Sequence, residues 1–378
     1  MSRSRLFFVL ASLEANDTGD EIVTLLGRLS RARLEPRVIA LGERDDLQER
    51  IVEMKVRVYP LGLSGLLGTA SAIPRSRRLL KDMHADVVHG FGAWGGAVAR
   101  LAAPRGVPVV RSVSRPPNHD SDARGRLLQM MEGRARSRLG TRFIVPNEAS
   151  RGLAVRAYGA PDGHVSVLPT SVDVTGIRDS VRRTDREHAR VLLGVAPGET
   201  AFVLVTGFES AHTMDEILEG FLTASLEKPG LRMFILGSGR HESETRWRAE
   251  QLRLGDSVVF LGRGTDQGPI WAAADAAIDA SPWSAWSRGA LIAMAAGVPV
   301  VKRRAGEQSW PEDVGDEFPM ISAHPDRFAI DLVGLASSEE ARQEIAERGK
   351  EYVKGIDARV VAERLDELYA SLLPGAAS

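Results

Sequence analysis

Residues Asp275 to Val301 read DAAIDASPWSAWSRGALIAMAAGVPVV. The stretch opens on an apolar segment ending at Ala280, which reads as a strand running into a loop, Ser281 to Gly289. A small-residue helix is expected from about Ala290 to Ala296, Gly297 is a helix stop, and Val298-Pro299-Val300-Val301 starts the next strand. This is one strand–loop–helix–strand unit of a parallel sheet. In such a sheet ligands bind at the carboxyl ends of the strands, and a helix that starts there offers free backbone N–H groups to an anion. Ser287, Arg288 and Gly289 stand at that helix start. Arg288 is the one cation of the loop, with a fork of donors suited to phosphate.

Outward from this unit, strand and helix patterns alternate along the whole chain. In the first half, strands are expected at Leu6–Leu10, Pro36–Leu41, Val56–Pro60, Asp86–His89, Val107–Val113 and Arg142–Val145. Helices are expected at Asp20–Ala32, at residues 70–83 and at Ala93–Ala103. The second half repeats the alternation, with strands Ala201–Gly207, Leu231–Leu236 and Ser257–Gly262. Its helices are expected at Met214–Leu226, Gln267–Ala274, 338–353 and 359–373. Alternation of this kind gives parallel α/β sheets of the Rossmann type, and 378 residues suit two such domains. The hinge region is expected near residues 168 to 190, its later part a charged stretch, Arg178 to Arg190.

Composition excludes several classes. The chain has 43% hydrophobic and 26% charged residues, ordinary for a globular protein, and its formal net charge of -1 gives no pull toward nucleic acid. With no cysteine there is neither a disulfide framework nor a thiolate zinc site. No metal and no cofactor are expected. Leu6–Leu10 is too short to span a bilayer, so the expected location is cytoplasmic. Arg75, Arg77, Arg78 and Lys81 form one basic cluster; Arg124, Arg126, Arg134, Arg136 and Arg138 form another, interleaved with Leu127, Leu128, Met130 and Met131. Such faces are either solvated or dock peripherally on anionic membranes.

The run Ala293-Met294-Ala295-Ala296-Gly297-Val298-Pro299-Val300-Val301, with Asp275 and Ser281 in register, resembles the signature of the retaining, nucleotide-sugar-dependent family 4 (group 1) glycosyltransferases. Ala85-Asp86-Val87-Val88-His89, Gly106-Val107-Pro108-Val109-Val110 and Leu168-Pro169-Thr170-Ser171-Val172-Asp173 are similar to the family's text in the first half. The resemblance implies the GT-B fold: an α/β protein of two Rossmann-like domains facing across a cleft. It implies an acceptor-side domain over residues 1–172 and a nucleotide-sugar-side domain over 173–358, with the last helix, about 359–378, returning to the first. It also implies transfer of a hexosyl group from a nucleotide sugar to a sugar or lipid-linked acceptor without a metal.

Several family positions are altered. The two glutamates of the signature fall at Ser284 and Ile292, and the first-domain histidine at Ser114. The Gly-Arg-Leu-x-x-x-Lys pattern, whose Arg and Lys meet the diphosphate, reads Gly207-Phe208-Glu209-Ser210-Ala211-His212-Thr213, so Phe208 and Thr213 replace the two cations. His212 is either a partial replacement or an exposed histidine at a helix start. Gly237 and Gly239, with Arg263 further on, stand where the family's nucleoside pocket lies. On the acceptor side the candidates are Asn16, Gly19 and His89, each with a structural alternative as cap, turn or core residue. Two readings follow. One is a divergent hexosyltransferase. The other is a catalytically silent relative that serves as a binding or regulatory subunit beside a protein partner.

Overall fold

The computed structural model describes residues 3–13, 17–42, 47–113, 126–127, 130–131, 133–134, 140–208, 210–262, 267–281, 286–303, 321–323 and 327–373. The chain divides into two compact units, Met1–Ser171 with Ala358–Ser378, and Val172–Asp357.

The first unit holds β1 (Ser4–Leu10), β2 (Leu34–Ala40), β3 (Arg57–Pro60), β4 (Val87–Phe91), β5 (Val109–Ser112), β6 (Arg142–Val145) and β7 (Val165–Val167). They form one sheet in the order β3-β2-β1-β4-β5-β6-β7, with every pairing parallel. The text of β1 shows why. Leu6, Phe8 and Leu10 enter the apolar cluster on one face, while Phe7 and Val9 enter the cluster on the other. A strand buried on both faces carries a continuous apolar run rather than an alternating one. The helix Gly92–Ala102 lies close against the sheet because Gly95 has no side chain; a Cβ there would stand 2.4 Å from the Val9 carbonyl oxygen. The last helix, Ala358–Leu372, supplies Val361, Ala362, Leu365 and Tyr369 to the same cluster as Leu6 and Phe8.

The second unit holds β8 (Thr200–Val205), β9 (Leu231–Leu236), β10 (Val258–Gly262), β11 (Ala276–Asp279), β12 (Val300–Arg303) and β13 (Ile321–Ala323). Their order is β10-β9-β8-β11-β12-β13, again all parallel. The strand order reverses direction between β8 and β11. Asp275, which opens the signature stretch, has a structural task. Its carboxylate accepts from Arg186 at 2.6 Å, from Arg190 at 2.9 Å and from the Ala201 amide at 2.8 Å, tying a helix to the start of β8.

Some elements differ from the sequence expectation. The first helix runs Asp17–Leu26 rather than Asp20–Ala32. Gly27 follows it, and the Ser30 amide turns away to donate to the Asp366 carboxylate at 3.0 Å. The hinge region expected near residues 168–190 contains the boundary between the units, at Ser171/Val172, and its charged stretch forms two helices, Val174–Arg183 and Arg186–Leu192. Asp173 and Asp185 cap them, accepting from the Gly176 amide at 3.1 Å and the His188 amide at 2.7 Å. The helices Leu47–Glu53, Glu242–Gln251 and Phe328–Ser337 and the strands β7 and β13 are additional to those expected. Among the described residues no helix is long and apolar enough to cross a membrane.

The close approach of Gly95 to β1 yields a test. Gly95→Ala should destabilise the first unit by about 1–3 kcal/mol, the cost of overpacking a dense core, read by thermal or urea unfolding. An unchanged midpoint would mean that the helix does not sit against Val9.

Candidate functional site

In an open parallel sheet the ligand crevice lies outside the carboxyl ends of the strands, where the strand order reverses. In the second unit that is the end of β8 and β11, with β9 adjacent. Two loops touch there through their backbones, and a helix begins beside them. Gly237 has φ +128°, and a Cβ on it would lie 1.9 Å from the Thr206 carbonyl oxygen. A Cβ on Gly239 would lie 1.9 Å from the Gly207 carbonyl oxygen. Only glycine allows the loops after β8 and β9 to touch in this way. On the other side, a Cβ on Gly289 would stand 2.4 Å from Val205 Cβ, so the helix Arg288–Ala296 begins against the end of β8. Gly207, Phe208, Gly237, Gly239, Ser287, Arg288 and Gly289 are thus brought to one end of the sheet.

Ser287 caps this helix: its Oγ accepts from the Ala290 amide at 3.1 Å. Arg288 is the first helical residue and is buried. Ile292, one turn further, is half-buried and packs with the apolar cluster containing Trp286, Leu291 and Met294.

Phe208 turns into the core. Its ring lies in the core with Phe202, Met214 and Phe221, 1% exposed, and stacks on Phe260 at 6.3 Å between centroids. Its φ of +47° is a left-handed conformation that a bulky side chain rarely adopts, and its amide donates to Thr206 Oγ1 at 3.1 Å. Thr213 sits in the first turn of the helix Ala211–Glu227, where its amide donates to the Ser210 Oγ at 3.3 Å. His212 is 81% exposed, with Nδ1 3.1 Å from the Glu216 carboxylate. The same carboxylate pairs with Arg303, a buried guanidinium whose own pKa is lowered by desolvation. Asn16, Ser114, Arg263 and Ser284 lie outside the described residues.

The strand ends also hold a pair that the motif reading overlooked. Asp279 and Lys302 are register partners at the ends of β11 and β12. Their side chains are 0% and 1% exposed and meet at 2.9 Å. Asp279 also accepts from the Ser281 amide at 2.9 Å and the Ser287 amide at 3.3 Å. Lys302 lies 5.0 Å from the centre of the Trp286 ring. A sequence signal existed: AAID ends in one charge, Asp279, and VVKR in two, Lys302 and Arg303, after otherwise apolar residues.

In the first unit His89 is buried at the end of β4. Its Nδ1 is 2.6 Å from the Tyr369 hydroxyl, its Nε2 2.9 Å from Ser112 Oγ, and its ring stacks on Phe91 at 4.0 Å. Burial lowers its pKa to about 3, so the ring is neutral. It also borders a pocket of about 50 Å³ at the ends of β4, β5 and β6, with Thr18, Glu21, Ser112 and Thr170 as polar lining. Gly19 is buried in the first turn of the Asp17–Leu26 helix.

The neutral histidine sets a pH dependence. The unfolded chain protonates His89 near its ordinary pKa of 6.5, whereas the folded chain resists until about 3. Its contribution is complete above about 6.5 and is lost as pH falls toward 3, at about 1.4 kcal/mol per unit. Urea unfolding between pH 6.5 and 4.5 should show this slope reduced by one proton in His89→Gln. Tyr369→Phe should cost about 1–3 kcal/mol, the price of an unpaired buried nitrogen.

Two family models match the chain: Glycosyltransferase Family 4 over residues 22–175, and Glycosyl transferases group 1 over residues 200–338. The chain is 24% identical over 331 residues to D-inositol 3-phosphate glycosyltransferase 2 of Catenulispora acidiphila, covering 81% of this chain and 75% of that protein. It is 24% identical over 245 residues to D-inositol 3-phosphate glycosyltransferase of Segniliparus rotundus, covering 62% of this chain and 53%, about half, of that protein. Among solved structures it is similar to Anabaena Alr3699/HepE in complex with UDP, with TM-score 0.75 and 15% identity over 98% of this chain and 100% of that one. At that identity the likeness shows the fold, two Rossmann-like domains of the GT-B type.

Proposed function

This chain belongs to the group 1, family 4 glycosyltransferases, and from that premise we propose that it binds a nucleoside diphosphate sugar at the ends of β8, β9 and β11 but transfers the hexosyl group slowly or not at all. Support for binding comes from the glycine contacts that bring the loops after β8 and β9 together at the sheet end and from the capped helix start at Ser287 with Arg288 beside it. The observation that carries the second half is Phe208. Transfer from a nucleotide sugar places growing charge on the leaving diphosphate, and fixed donors must meet it. At Phe208 the family's guanidinium is replaced by a ring sunk in the core. Thr213 brings no charge in place of the lysine, and Ile292 no hydrogen bond in place of the second glutamate.

One such group is typically worth about 2.7–4 kcal/mol in the transition state, or two to three orders of magnitude in rate. A retaining reaction through the usual family groups is therefore strongly attenuated. The acceptor, on this reading, is a phosphorylated polyol or sugar, as the names of the inositol phosphate relatives suggest, or a lipid-linked sugar. The exposed Arg75, Arg78 and Lys81 on the helix Gly65–Asp82 support the lipid-linked form through contact with an anionic membrane. The same replacements favour a second reading, a binding or regulatory subunit that has lost turnover and works beside a protein partner.

Calorimetric titration with nucleoside diphosphates tests the binding half. Arg288→Ala should weaken diphosphate affinity by about 1.5–3 kcal/mol, and unchanged affinity would remove Arg288 from the site. A turnover panel of nucleotide sugars with sugar and lipid acceptors tests the other half. Rates well below about 1 per second are expected. Rates at or above that level would mean that other groups stabilise the diphosphate.

A further inference from the structure

We propose that Asp279 is a positioning residue for the donor end of the second unit: neutralised internally by Lys302, its carboxylate fixes both ends of the loop that leads into the Arg288–Ala296 helix. The proposal rests on the nucleotide-binding reading above. A carboxylate with no access to water is costly unless it is paired and hydrogen-bonded. Asp279 meets that condition through three partners. Oδ1 takes the Ser281 amide at 2.9 Å, at the start of the loop. Oδ2 takes the Ser287 amide at 3.3 Å, at its end, and the Lys302 ammonium at 2.9 Å. One side chain therefore holds the amides of Ser281 and Ser287 together.

The exit is the functional end. Ser287 is extended, with φ -63° and ψ 152°, and its Oγ caps the helix whose first residues are Arg288 and Gly289. Holding the Ser287 amide fixes that cap, and with it the direction of the N–H groups and guanidinium that a phosphate would meet. An unneutralised carboxylate at a helix start would repel a phosphate. Lys302 cancels that charge from below, and Trp286, 8% exposed, covers the ammonium at 5.0 Å and meets Tyr352 edge-on at 6.4 Å. Enclosed this way, Lys302 balances Asp279 and is not itself a phosphate ligand.

Paired replacements separate this role from simple stability. Asp279→Asn with Lys302→Met removes both charges but keeps one acceptor for the loop amides. Asp279→Leu with Lys302→Leu removes both charges and both acceptors. Replacing a buried ion pair with apolar side chains is often neutral for stability, so thermal midpoints report on folding: little change is expected in the asparagine pair, and a lower midpoint with a retained cooperative transition in the leucine pair, which also leaves two amides without their acceptor. Hydrogen exchange at the Ser281 and Ser287 amides should accelerate at least tenfold in the leucine pair and less in the asparagine pair. Affinity for a nucleoside diphosphate should fall at least tenfold in the leucine pair, with affinity for the corresponding nucleoside unchanged. Unaltered amide exchange in the folded leucine pair overturns the positioning role. Accelerated exchange with unchanged diphosphate affinity overturns its link to the ligand. If the unsubstituted protein binds no nucleoside diphosphate, the donor reading fails, and the exchange rates still decide whether Asp279 fixes the loop.

Discussion

Parallel strand pairing is the constraint from which the other features follow. Every strand pairing described in both sheets is parallel, so each strand must be followed by a crossover before the next can begin. All strands of a sheet then deliver their outgoing loops to the same edge. Residues far apart in sequence, such as Gly207, Gly239 and Ser287, meet there without any pairwise attraction between them. The core has only to bury two faces of each strand, which the runs LFFVL and AFVLV do.

Much of this architecture was legible because its signals are repetitive. Apolar runs between amphipathic stretches mark the long strands, and Gly297 ends its helix with φ +81°, as a glycine after a small-residue helix should. Several of the elements that escaped are short or charged, although the ten-residue apolar helix Phe328–Ser337 is neither. The mean hydropathy around Val174–Arg183 is low, and its helicity depends on the Asp173 cap and on burial of a single narrow face. β7 has three residues and no room for a pattern.

The candidate site was legible in position but not in orientation. Sequence can say that Phe208 stands where a cation is expected. It cannot say that the ring is buried, because that depends on Phe260 and Met214 arriving from other elements. His89 is similar. Its address at a strand end suggests chemistry, and only the Tyr369 and Ser112 contacts show that both nitrogens are occupied. Asp279 and Lys302 were overlooked because neither is informative alone; their meaning lies in being register partners across two strands.

The composition of the first unit has a consequence for biosynthesis. Its core includes Val361, Leu365 and Tyr369, contributed by a helix that follows the entire second unit in the chain. As the protein leaves the ribosome, strands β1 to β7 emerge early, yet the groove that those residues fill stays open until residue 372 or so has been made. The second unit, by contrast, is one uninterrupted segment and has all its own core before then. The usual order, in which the amino-terminal domain is completed first, is therefore inverted: the first unit to begin folding is the last to close. Until then the cluster that holds Leu6, Phe8 and Ile22 lacks Val361, Leu365 and Tyr369.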